Sequence, residues 1–166
     1  MSVVVLNLAR LLALRGGPQH LPASRPLMLF LLSAYLLQNV LTGTQLEDPD
    51  AASKSLVAVA VQIAAVAALL RWRRHPARFV QTVTALAGVG IVFNAISWMI
   101  LARLDASQAQ PQLAMAWFAV FIWSLAVDAH IYRHALSVRL PVAMLITVVL
   151  LAVSYILIDL LFLGGS

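Results

Sequence analysis

Residues 71–78 read Arg-Trp-Arg-Arg-His-Pro-Ala-Arg, four arginines in eight residues, set between the uncharged runs Leu56–Leu70 and Phe79–Ala102. Two apolar stretches joined by a short basic loop describe a pair of membrane-crossing helices. A hydrocarbon core about 30 Å thick takes roughly 20 apolar residues to cross, and basic residues collect in the loops on the cytoplasmic side. Working outward, three further runs fit the same reading: Leu27 to about Gly43, Leu113–Tyr132 and Leu140–Leu163. The expected fold is therefore all-α, a single polytopic membrane domain with five transmembrane helices at about 27–43, 56–70, 79–102, 113–132 and 140–163. The span at 56–70 is the shortest and is expected to borrow Ser53 to Ser55 or to thin the bilayer locally. Short connections imply that each helix runs antiparallel to the one before it.

Composition agrees. Apolar residues make up 63% of the chain and charged residues 10%, against about 45–50% and about 25% in a soluble domain. A chain of 166 residues has no single core large enough to hide that much apolar surface from water. The net charge of +5 does not indicate nucleic acid, because the arginines flank apolar runs instead of forming a patch interleaved with aromatics. With no cysteine, the chain has no disulfide, thiolate metal site or cysteine nucleophile.

The basic residues set the orientation. Arg10, Arg15, Arg25, Arg71, Arg73, Arg74, Arg78, Arg133 and Arg139 fall on one side, and only Lys54 and Arg103 on the other. Glu47, Asp48, Asp50 and Asp105 share that second side. The positive-inside bias then puts the N-terminus in the cytoplasm and the C-terminal Gly164-Gly165-Ser166 outside. Trp72 and Tyr132 are expected as aromatic anchors at the inner boundary, with Trp98 and Trp117 toward the outer one. All seven prolines lie outside the span interiors, with Pro26, Pro76, Pro111 and Pro141 ahead of or at span starts, so the helices are expected to be unbroken. Ser24, and Ser53 or Ser55, are candidate N-caps.

Residues 1–15 are apolar, with Asn7 and Arg10 three apart on one helix face. A secretory leader needs a basic start and an unbroken apolar core, and this segment has neither. The expectation is an amphipathic helix in the cytoplasmic interface, with Arg10 and Arg15 at the headgroups.

Polar residues inside spans are the candidates for chemistry, because burying them is costly. Asp128 is expected about a turn inside the cytoplasmic boundary, paired with an arginine of another loop; a proton relay is the alternative. His130 and His134 share a face, from which Asp128 is turned away by about 200°; they are expected to hydrate at the headgroups, with a metal pair as the alternative. Asp159, near the outer end of the fifth span, is expected to meet Lys54 or Arg103 or else to be a protonatable site. Gln38, Asn39, Gln62, Asn94 and Ser97 read as interhelical hydrogen-bonding groups. Ala60, Ala64 and Ala68 form a small-residue stripe, which places the second span at the centre of the bundle or in a protein–protein contact. Gly88 and Gly90 would admit a neighbour to the third span. The loop Arg71, Arg73, Arg74 and Arg78 is a candidate dock for anionic phospholipid or an acidic partner surface. No nucleotide loop, zinc-protease helix, nucleophile elbow or paired-carboxylate signature is present, so neither enzyme activity nor a cofactor is expected.

Five helices with short loops, a cytoplasmic N-terminus and an external C-terminus resemble the Yip1-like membrane proteins over roughly Arg25 to Leu163, with a local echo from Trp123-Ser124-Leu125 to His134-Ala135-Leu136. The long N-terminal region and the Asp-Leu-Tyr-Gly-Pro motif of the eukaryotic members are absent. The resemblance implies a non-enzymatic role with membrane protein partners. The Ala-, Leu- and Arg-rich composition resembles that of high-GC bacteria, which implies a bacterial inner membrane. Two function classes follow: an accessory or scaffold subunit that associates with other membrane proteins or with itself, and a small intramembrane carrier using Asp128, His130 and Asp159.

Overall fold

The computed structural model of the chain describes residues 3–103 and 110–162. Its helices are α1 (Val3–Leu12), α2 (Arg25–Gln45), α3 (Ala51–Trp72), α4 (Phe79–Leu101), α5 (Pro111–Leu136) and α6 (Leu140–Phe162). Short 3-10 turns at Pro18–His20 and Pro76–Arg78 precede α2 and α4. Five of these helices, α2 to α6, are long and apolar enough to cross a membrane, and the chain is an integral membrane protein built on them. Asp105 and the terminal Gly164-Gly165-Ser166, which figure in the orientation argument, lie outside the described residues.

Sequence accounts for most helix starts. Ser24 caps α2, its Oγ accepting from Leu27 N at 3.4 Å. Proline occupies the first turn of both α2 and α5, where the missing N–H has no helical acceptor to lose. The start of α3 differs from expectation. Ser53 and Ser55 lie inside the helix, which begins at Ala51 and gains the length that Leu56–Leu70 lacks. Its entry is shaped instead by Asp48, whose Oδ1 accepts from Asp50 N at 3.0 Å and pairs with Lys54 Nζ at 2.8 Å. The Lys54 ammonium, then the Asp50 N–H, hold the Asp48 carboxyl below its usual range.

Four helices end in the same device. Leu14, Glu47, Arg74 and Ser137 have φ of 57°, 57°, 59° and 53°. The residue after each donates five positions back: Arg15 to Arg10 O, Asp48 to Gly43 O, His75 to Leu70 O and Val138 to Arg133 O. This is the Schellman closure, which normally recruits glycine at the left-handed position. Here none of the four is glycine.

Helices α2, α4, α5, α6 and α3 touch in that cyclic order and close into a ring. Lys54 at the start of α3 lies over the Phe162 ring at the end of α6, and Trp98 of α4 donates to Gln45 Oε1 of α2. Neighbours in sequence are thus antiparallel, while α2 and α4 run the same way. One end of the bundle then carries the arginine-rich termini, and the other Lys54 and Arg103.

The most enclosed helix is α4, with every residue from Thr82 to Val89 buried. Of the two settings expected for the second span, the centre of the bundle is thus taken by α4. In α3 the inward side is Val59, Val66 and Leu70, and Ala60, Ala64 and Ala68 all face outward. Gly88 and Gly90 do admit neighbours to α4. A Cβ at Gly88 would meet Leu8 Cδ2 at 2.7 Å, and one at Gly90 would meet Tyr35 Cε2 at 2.6 Å.

The short N-terminal helix packs on α4 and α5. Leu11 is buried, and Asn7 turns inward to donate to His20 O at 2.7 Å while Arg10 stays exposed. Side chains of the bundle hold the segment by its backbone carbonyls. Trp123 Nε1 donates to Leu12 O at 3.1 Å, His130 Nε2 to Gly16 O at 2.7 Å, and Gln81 Nε2 to Leu21 O at 2.7 Å.

Candidate functional site

A cavity of about 210 Å³ opens between α2, α3, α5 and α6. Its polar lining is Tyr35, Gln62, Asp128, Tyr132, Thr147 and Ser154; the rest is alanine, valine and leucine. Tyr35 and Gln62 stand at the midpoints of their helices, so the cavity reaches mid-span. Asp128 and Tyr132 face it together because four residues bring a side chain back to the same side of α5.

Asp128 thus faces a cavity and not the arginine partner that the sequence suggested. Helix α5 continues through Arg133 and His134 to Leu136, placing Asp128 about 12 Å from its end at 1.5 Å per residue. No arginine reaches its carboxylate, since the ion pair among the described residues is Lys54 with Asp48. Tyr132, expected as an inner anchor, is only 4% exposed and lines the cavity. Trp72, at 74% exposure, matches the anchor expectation better.

The other intramembrane candidates lie elsewhere. His130 points to the opposite side of α5, where Nε2 is committed to Gly16 O; its ring meets that of His134 edge-on at 4.5 Å between centroids. Gly16 O can only accept, so His130 Nε2 carries a proton in this contact and is not free to ligate. No group of three or more His, Cys, Asp or Glu residues comes together among the described residues. Asp159 is half-buried on α6 and does not line the cavity; of its two expected partners Lys54 is held by Asp48, and no ion pair joins it to Arg103 among the described residues. Asp128, His130 and Asp159 thus do not share a site.

Of the interhelical polar groups, Gln62 faces the cavity. Asn39 folds back to Tyr35 O at 2.8 Å on its own helix. Nδ2 of Asn94 is buried and unpartnered.

The arginine loop divides in two. Arg78 Nη1 donates to His134 O and Ala135 O, both at 3.0 Å, and to Ser137 Oγ at 2.9 Å. Arg73 Nε donates to Leu136 O at 3.2 Å. These two arginines satisfy the last carbonyls of α5, where the helix dipole also favours positive charge. Arg71 and Arg74 are exposed and make no such bond to the end of α5.

Tyr35, Thr147 and Ser154 were not singled out by sequence. Spacing carried part of the signal: Leu125, Asp128 and Tyr132 recur at three and four residues on one side of α5, and Thr147 and Ser154 are seven apart on α6. Which helices face one another across that cavity is a property of the ring. The fold and this cavity define a helical integral membrane protein with a polar intramembrane site. Comparison with family models, with curated proteins and with solved structures gave no match to the chain.

Proposed function

We propose that the chain is a non-enzymatic accessory or scaffold subunit that associates with another membrane protein, or with a second copy of itself, through the outward side of α3. The observation that carries this reading is the exposure of Ala60, Ala64 and Ala68 on a helix whose other side is packed into the bundle. A strip without side-chain bulk lets a second helix approach until backbones are in van der Waals contact, the main attraction between helices in lipid. Arg71 and Arg74 lie at the end of the same helix. They supply a cationic rim for anionic phospholipid or an acidic partner loop, each worth on the order of 1 kcal/mol near a charged leaflet. The Yip1-like resemblance in helix number favours the same role. In this reading the arginine-rich end faces the cytoplasm of a bacterial inner membrane, and the C-terminus faces the periplasm.

A photo-crosslinking side chain placed at Ala64 tests the reading in native membranes. The expected result is a discrete adduct, missing when the same group stands at Leu160, an outward residue of α6 that is 66% exposed. Indistinguishable crosslinking at both positions, or none at Ala64, rejects α3 as the contact.

A further inference from the structure

We propose that the cavity around Asp128 is a binding site for a small organic monocation of the alkylammonium class. This goes beyond the accessory role and stands independently of it. The first observation is a carboxylate with no counter-ion among the described residues. No basic residue lines the cavity. The basic residues nearest along the sequence, Arg133 and Arg139, are exposed and outside the cavity lining, His130 bonds Gly16 O on the far side of α5, and Arg73 and Arg78 bond the carbonyls that end that helix. A carboxyl inside a membrane-spanning helix, where isolated charge is costly, is stabilised by a cation brought to it from outside.

The second observation is what surrounds the carboxylate. Tyr35 and Tyr132 border the same space as Asp128, and aromatic rings attract cations through their negative faces. Gln62, Thr147 and Ser154 supply further oxygen acceptors. Thr147 Oγ1 spends its hydrogen on Ala143 O at 3.0 Å and so offers the cavity lone pairs only. The remaining lining, Ala58, Val61, Leu125, Leu150 and Leu151, suits alkyl groups. A bare metal ion would want a close shell of oxygens, and the mixed polar and apolar wall does not supply one.

Volume limits the ligand. At about 210 Å³ the cavity is smaller than the pockets of roughly 300–1,000 Å³ that hold drug-sized molecules. It suits a few heavy atoms around one charged nitrogen. Tyr35 is seated against Gly90 of α4, which fixes that wall from behind.

The test is equilibrium binding to the purified full chain in dodecyl maltoside, a detergent without ammonium groups, so lipid headgroups do not compete. Choline is the probe, dimethylbutanol its uncharged carbon isostere, and tetrapentylammonium an oversized cation. The expected result is saturable choline binding, about tenfold or more weaker for the isostere, with tetrapentylammonium excluded. Asp128→Asn is expected to weaken choline by about tenfold or more, Tyr132→Leu by several-fold, and Tyr132→Phe little, because its ring remains. Absence of saturable choline binding, or equal affinity for choline and the isostere, overturns the proposal using the unmodified protein alone. Unchanged choline affinity in a folded Asp128→Asn chain overturns it as well.

Discussion

A Cβ added at Gly90 would stand 2.6 Å from Tyr35 Cε2 and 3.0 Å from Cδ2, against a flat ring that has no slack. At Gly88 the obstacle is the tip of Leu8, a side chain that can change rotamer. Gly90→Ala is accordingly expected to cost about 1–3 kcal/mol through overpacking. Gly88→Ala should come out near neutral, its clash offset by roughly 1 kcal/mol of helix propensity. Thermal unfolding of the two variants in detergent compares them, and equal shifts would show that the Tyr35 ring is not fixed. Both glycines could be picked from the sequence as close-approach positions, because glycine inside an apolar helix has few other uses. Asp128 could be recognised as an intramembrane carboxylate but not placed. Its setting depends on which helices border it, with Tyr35, Gln62, Thr147 and Ser154 brought from α2, α3 and α6, and no single segment shows that.

Helix ends are decided by contacts that a single segment does not reveal. Ser24 announces the start of α2 because a cap is local. The end of α5 depends on Arg73 and Arg78, more than 55 residues away in the chain, as the separations of 63, 56 and 57 show. In the sequence these arginines look like orientation signals, and nothing marks two of them as caps. Arg78→Gln should cost about 1–3 kcal/mol, since charge-assisted bonds to three oxygens are lost together. Arg71→Gln, on an exposed position, should stay within about 0.5 kcal/mol. Melting curves on the purified variants separate these outcomes, and equal losses would remove the capping role.

For the whole molecule, the number of spans was legible because length and apolarity are enough to count them. Their arrangement was not. The span of α6 has the highest mean hydropathy, 2.6, yet only 6% of it is buried, while that of α4 has 1.8 and is 44% buried. Lipid is as apolar as a protein core, so hydropathy does not tell an outward residue from an inward one. Small and polar residues such as Gly88, Gly90, Thr82 and Thr84 mark the centre instead. Orientation remains a matter of charge. Reporters inserted beside Arg74 and fused after Ser166 should lie in opposite compartments, and the same compartment for both would refute the proposed topology.

The seating of the N-terminal segment also fixes an order in time. His130 and Gly16, joined by one hydrogen bond, are 114 residues apart. At a synthesis rate of about 5–20 residues per second, Gly16 waits on the order of ten seconds for its partner to be made. Leu8 can meet Gly88 once α4 is made, but the contacts of this segment with α5, through Trp123 and His130, wait for the later part of the chain. Docking of this segment is thus a late step of biogenesis, and the second half of the chain sets the moment at which the first half is complete.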